Sequence, residues 1–257
     1  YSSSDRASIQ SLTTFQLVQT NTQPSENCLR ADINALWHAI EWSWHARPDR
    51  DALLWHWSPQ HQWAMNHAIT GWNEALVVYV LACASPTHAV APERYHQGWT
   101  ASPHFRNGNQ YHGIELPLGP PSGGPLFFSH YSFMGLDPRG LVDRYADYFK
   151  QNRAHTLINR AHCLQNPHAY VGYGEDCWGL TASDSEHGYS AHAPDNDLGI
   201  ITPTAAIAAM PYAPAESLQA LRHFLFKRGS DLWTPLGFRD AFSPATGWVA
   251  AAQLALD

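Results

Sequence analysis

Apolar residues recur along this chain at helical steps. Ile33, Leu36, Trp37, Ile40 and Trp44 fall three or four positions apart, which predicts an amphipathic helix over about Leu29 to His45, stopped by Pro48. The stretch Ala75 to Ala84 is apolar on every side and predicts a fully buried inner helix. Leu141, Tyr145, Tyr148 and Phe149 open another after Gly140, reaching about Leu164. Pro203 suits the first turn of a helix over Thr204 to Ala209. Pro214 precedes one over Ala215 to Arg228, with a stripe of Leu218, Leu221, Phe224 and Leu225 and Gly229 as its stop. A last helix is expected over Val249 to Leu256, and Tyr111 to Leu118 suits a short hairpin. Long loops fill 85–140 and 170–202, and loops of that length in a folded domain usually carry function. All-apolar helices alternating with amphipathic ones fit an inner ring wrapped by an outer ring. The fold class is therefore all-α, a helical barrel with a cleft built by loops at one end. No linker or repeat interrupts the chain, so residues 1–257 are expected to form a single domain.

Composition sharpens this picture. Only 14% of the 257 residues are charged, so the polar surface must come from His, Asn, Gln, Ser and Thr. Eleven Trp, eleven Tyr and 16 His suit a carbohydrate cleft, where flat rings stack on sugar faces and imidazoles bond hydroxyls. The same rings also suit an ordinary core with polar handles. A net charge of −7 argues against a nucleic-acid partner, and no apolar run reaches the roughly eighteen residues of a membrane span. The spacing of Cys28, Cys83, Cys163 and Cys177 matches no zinc or redox pattern, and Cys83 reads as a buried thiol. No HExxH, GxSxG, P-loop or GxGxxG occurs, so no metal or other cofactor is expected.

The most informative chemistry is Gly71-Trp72-Asn73-Glu74. A carboxylate entering an apolar helix either suits the helix dipole or is a general acid held out of water. Further acids sit among glycines and aromatics in 172–184 and 237–242, namely Glu175, Asp176, Asp184 and Asp240. Asp184 also reads as an Asx-turn or helix cap, and Asp240 as a partner of Arg239 or a distant cation. With Glu74 they offer the pair of carboxylates that glycosidic cleavage needs: one protonates the leaving oxygen, the other activates water or attacks the anomeric carbon. His88, His130 and Tyr131 each follow or end an apolar run.

Several segments resemble one family: Trp55-His56-Trp57-Ser58-Pro59, Gly71-Trp72-Asn73-Glu74-Ala75, Ser85-Pro86-Thr87-His88, the run from Gly124 to Phe133, Cys177-Trp178-Gly179-Leu180-Thr181-Ala182-Ser183-Asp184, and Pro203-Thr204-Ala205-Ala206. In unbroken order from Leu29 to Asp257, the chain is similar to the glucoamylase-like family that contains bacterial β-1,2-glucanases, glycoside hydrolase family 144. The resemblance implies an (α/α)6 barrel and inverting cleavage of linear β-1,2-glucan to sophoro-oligosaccharides. It implies Glu74 as general acid and Asp257 as candidate base, with Trp72, Asn73, His130, Tyr131, Glu175, Trp178 and Asp240 binding a β-glucan partner. It also implies export to the periplasm or beyond. Residues 1–19 diverge from the family pattern, which has an acidic cluster there, and family members continue past Asp257. Taken as complete, the chain would leave the barrel open at both ends. Two other readings are a sugar-binding module without turnover and a transglycosylase of the cyclic β-1,2-glucan synthase type.

Overall fold

The computed structural model describes residues 24–251. The chain divides into two units, one up to Phe105 and one from Arg106 onward.

The first unit holds helix α1 (Pro24–Ala39), a 3-10 turn (Trp42–His45), helix α2 (Leu76–Ala84) and a π-helical turn (Tyr95–Trp99). Helix α1 forms where the three-four spacing predicts it, but stops at Ala39, so the expected continuation to His45 is a separate tight turn. Its apolar stripe is also not a buried face: Leu29, Ile33 and Leu36 are 59%, 55% and 68% exposed. Among the described residues α1 is instead anchored through Trp37, whose indole N–H donates to Leu81 O on α2 at 3.2 Å. Helix α2 buries Leu76, Tyr79, Val80 and Ala82 and leaves Val78, Leu81 and Cys83 partly exposed, so it is half-buried rather than an enclosed inner helix.

Two polar side chains organise this unit. The Tyr79 hydroxyl donates to Ile69 O at 2.8 Å and accepts from Leu53 N at 3.0 Å, which pins both arms of the ribbon 53–69 to α2. The Arg94 guanidinium donates to the carbonyls of Ala46, Arg47 and Arg50 and fixes the loop before that ribbon. Gly98 lies so close to Ala52 that a Cβ would come within 2.5 Å of its backbone, so only glycine lets the π-helical turn pack there.

The second unit opens with a hairpin, β1 (Arg106–Tyr111) and β2 (Ile114–Leu118), paired antiparallel; the expected span of Tyr111 to Leu118 covers its turn and second strand but not its first. Its loop residues, His112 and Gly113, both have positive φ (53° and 78°), the geometry that matches the twist of the flanking strands. Helix α3 spans Tyr148–Gln165 and starts later than its apolar pattern suggests. The Asp143 carboxylate accepts from Tyr145 N, Ala146 N and the Tyr148 hydroxyl, holding a turn there. Asp147 then caps the helix by accepting from Lys150 N. Helix α4 (Pro203–Ala208) and helix α5 (Pro214–Arg222) begin on their prolines. A π-helical turn (His223–Lys227) prolongs α5, and Gly229, expected as a stop, begins the short helix α6 (Gly229–Leu232). The buried face of α5 and its extension is Ser217, Ala220 and Phe224, while Leu218 of the expected stripe is 42% exposed.

Two small hairpins complete the second unit: Ala182–Ser183 with Ser190–Ala191, and Trp233–Thr234 with Gly237–Phe238. Its main core joins Trp178, Leu180, Ile201, Ala205, Ala206, Phe224 and Phe242. Val249 bridges to Phe242 in extended backbone, so no helix begins there, and 252–256 of the expected last helix lie outside the described residues. The described chain is thus helix-rich, with three two-stranded hairpins and long ordered loops.

Candidate active site

Glu74 sits in the turn that leads into α2, before its first helical residue. The turn is built locally. The Asn73 side-chain amide donates to Thr70 O at 3.2 Å, and its oxygen accepts from Ala75 N at 2.9 Å. Gly71 N donates to Trp99 O at 3.0 Å, tying the turn to the core. Trp72 is 3% exposed and meets the Phe105 ring edge-on at 6.4 Å. Both residues were expected to bind substrate; Asn73 bonds the backbone of the turn through both ends of its amide, and Trp72 is buried. Together they hold the backbone of the turn that carries Glu74. Glu74 is half-buried, and burial raises its pKa above the ordinary 4.5, opposed more weakly by a backbone hydrogen bond and by the charge of His67. A carboxyl so placed holds its proton further up the pH scale, as a proton donor needs.

The remaining candidates lie in the second unit. Asp240 is 7% exposed, and its carboxylate accepts from Asp184 N at 2.8 Å. Burial raises its pKa, the Asp184 amide opposes this, and the Asp184 carboxylate adds to it. Arg239 turns elsewhere, donating to the carbonyls of Asp231, Ala250 and Ala251, so the expected Arg239–Asp240 pair is not formed. His130 is buried and stacks on Tyr212, with centroids 6.4 Å apart and planes at 4°. Neither of its ring nitrogens has a hydrogen-bond partner among the described residues. Burial first, and the nearby His155 second, push its pKa down to about 3, so the ring is neutral. Tyr131 is half-buried with its ring 5.6 Å from that of Phe127. Glu175 is exposed.

Trp178, also expected to bind substrate, lies in the core. Its ring is wholly buried within the core of the second unit. Asp257 lies outside the described residues. Among the described residues no group of His, Cys, Asp or Glu is arranged to hold a metal, and no described helix is long and apolar enough to cross a membrane. A pocket of about 560 Å³ opens in the second unit between Phe133, Met134, Phe149 and Tyr212, with the Asp137–Arg139 ion pair (2.6 Å) in its lining.

One polar centre escaped the sequence reading. Asp197 accepts from His162 Nε2 and from the Tyr173 hydroxyl, each at 2.8 Å, and from Gly199 N at 3.0 Å. Burial alone would raise its pKa, but these hydrogen bonds outweigh burial and hold it below 3.8. The centre ties the loop before α4 to the end of α3. No spacing in the sequence marks it, because its members are 24 and 35 positions away from Asp197.

Residues 66–257 match the Glycoamylase family, described as "Putative glucoamylase". Over 268 aligned residues the chain is 40% identical to an exo β-1,2-glucooligosaccharide sophorohydrolase (non-reducing end) of Parabacteroides distasonis, covering 96% of this chain and 37% of that protein. Among solved structures, the fold is similar to an endo-β-1,2-glucanase of Chitinophaga pinensis in complex with sophorotriose and glucose. That match has a TM-score of 0.84 and 48% identity over 93% of this chain and 59% of the other. A β-1,2-glucanase of Parabacteroides distasonis gives a TM-score of 0.85 and 39% identity over 96% of this chain and 38% of the other. The chain belongs to this glucoamylase-like family, and it spans between a third and three fifths of the length of these relatives.

Proposed function

We propose that this protein hydrolyses linear β-1,2-glucan to sophoro-oligosaccharides with inversion, and that Glu74 is its general acid. The observation that carries the reading is Glu74 itself: a half-buried carboxyl with a raised pKa, on a turn held by Asn73 and Trp72 at the entry to α2. The relatives' action on β-1,2-linked glucose polymers and oligomers supports the substrate class. In the proposed step the Glu74 proton passes to the glycosidic oxygen as the bond to the anomeric carbon breaks. Water attacks that carbon from the opposite face and loses its proton to a second carboxylate, for which the family resemblance suggests Asp257. Inverting enzymes keep such a pair roughly 6.5–9.5 Å apart, leaving room for the water. The helix-rich chain and its solved neighbours support an (α/α)6 barrel as the frame. The same reading places the protein in the periplasm or outside the cell, where it meets the polymer.

The test is incubation with linear β-1,2-glucan and analysis for short products, beside Glu74→Gln. The parent should release sophoro-oligosaccharides, and the variant should lose about a hundredfold or more of kcat, the usual scale of general acid catalysis. Activity should fall as pH rises through the folded pKa of Glu74, which lies above 4.5. Because that pKa is raised by burial, the charged form opposes folding above it, so Glu74→Gln should melt no lower than the parent at neutral pH. Equal activity in a folded Glu74→Gln variant would remove the acid from Glu74.

A further inference from the structure

The first unit treats its indoles in two ways. Trp72 and Trp99 are 3% and 0% exposed, while Trp44, Trp55 and Trp57 are 52%, 49% and 40% exposed. Scattered exposed rings need no explanation, but these have ring partners: Trp44 lies 6.0 Å from Trp57 and 6.2 Å from Trp63, and Trp55 is paired with His67 at 5.6 Å. The Trp44–Trp57 and Trp55–His67 contacts are edge-to-face, at 82° and 76°, so each pair fixes its rings without stacking their faces together.

The backbone beneath Trp55 is rigid and tied to the Glu74 turn. Trp55 N donates to His67 O at 2.9 Å, and Ile69 N donates to Leu53 O at 2.8 Å. The Tyr79 hydroxyl then clamps Leu53 and Ile69 onto α2, the helix that Glu74 leads into. His67, on the opposite arm of the ribbon from Trp55, is close enough for its charge to act on Glu74.

We propose that Trp55 and His67 form a glucosyl-binding platform beside Glu74, with the Trp55 face stacking on the C–H face of a pyranose and the His67 ring bonding its hydroxyls. This rests on the reading of Glu74 as the acid of a β-1,2-glucan hydrolase, and it makes Trp55 a positioning residue for that acid. A pyranose pairs an apolar face with a rim of hydroxyls, and a half-exposed indole with an imidazole set at 76° to it offers a partner for each. A platform on the ribbon clamped by Tyr79 would hold the sugar near Glu74 in ground and transition state alike, so its loss should fall mainly on KM.

The experiment compares the parent, Trp55→Ala, Trp55→Phe and Glu74→Gln on linear β-1,2-gluco-oligosaccharides. Trp55→Ala should raise KM by about tenfold while kcat falls less than about threefold, and Trp55→Phe should recover most of the loss. An unchanged KM in folded Trp55→Ala overturns the platform, whatever Glu74→Gln shows; so does a change in oligomeric state at unchanged KM, which would make the patch a protein contact. Should the parent turn nothing over, the Glu74 reading fails by itself, and sophorotriose titrations decide the platform. Weaker binding by Trp55→Ala than by the parent supports it, and equal binding or none overturns it.

Discussion

Helices α1 and α3 invert each other. Helix α1 has the sequence of a buried amphipathic helix and shows Leu29, Ile33 and Leu36 to solvent. Helix α3 has the sequence of a surface helix and buries Gln151, Asn152, His155, Thr156 and Asn159 without residue. The difference lies in what each helix meets. The neighbours of α3 include strand β2 and the 3-10 turns and loops after it, and these bring backbone N–H and C=O groups that need partners. Gln151 accepts from Leu118 N and donates to Leu118 O, and Asn159 makes the same double bond with Leu180. His155 bonds Ser129 Oγ and Gly124 O. A Cβ on Gly123 would sit 2.1 Å from the His155 ring, so the loop can approach that closely only as glycine. A polar face is thus what lets a helix serve as the core against irregular chain. The apolar face of α1 has no such use among the described residues.

The sharpest way to break this contrast is to remove a double bond from α3. Asn159→Ala should cost about 2 to 3 kcal/mol, since it leaves the N–H of buried Leu180 without a partner and takes one of two donors from its C=O, which keeps Leu126 N at 3.1 Å. Thermal or urea unfolding measures it, and a loss below about 1 kcal/mol would mean that water replaces the amide. Next in size is Asp197→Asn, at about 2 kcal/mol near neutral pH. Because the folded pKa of Asp197 lies below 3.8, its contribution is complete above that value and is lost as pH falls through the folded pKa. Parent and variant melting curves should therefore converge under acid, and a gap that persists there would assign the loss to packing instead. The smallest effect belongs to α1: Ile33→Ser should shift stability by less than about 0.5 kcal/mol, as exposed positions do. A larger loss would show that the stripe is covered in solution.

The same contrast separates what the sequence shows from what it hides. The turn and second strand of the first hairpin, within 111–118, and the starts of α4 and α5 are readable because His112-Gly113, Pro203 and Pro214 act through local backbone geometry. The start of α3 is misplaced because Leu141 and Tyr145 keep a helical spacing through a turn that the Asp143 side chain holds instead. The polar inside of α3 is invisible for another reason: Asn159 and Leu180 are 21 positions apart, Gln151 and Leu118 are 33, and no periodicity reports such pairs. At the candidate site, Glu74 stands out because a lone acid before an apolar helix is conspicuous. Trp72, Asn73 and Trp178 are read as ligand contacts from the family resemblance, and indole and amide side chains serve sugars and cores equally well. Only burial and bonding separate the two uses.

The four cysteines are all unpaired thiols, and they are distributed unequally. Cys28 lies exposed on α1, whereas burial lifts Cys83 to about 11, Cys177 to about 12, and Cys163 higher still. Only the thiolate reacts with an alkylating reagent. The folded protein is therefore a molecule with one ready attachment point and three latent ones. Brief exposure to iodoacetamide, followed by intact-mass measurement, would read single labelling as the native state and each further adduct as an opening of α2, of the end of α3 or of the turn before Trp178.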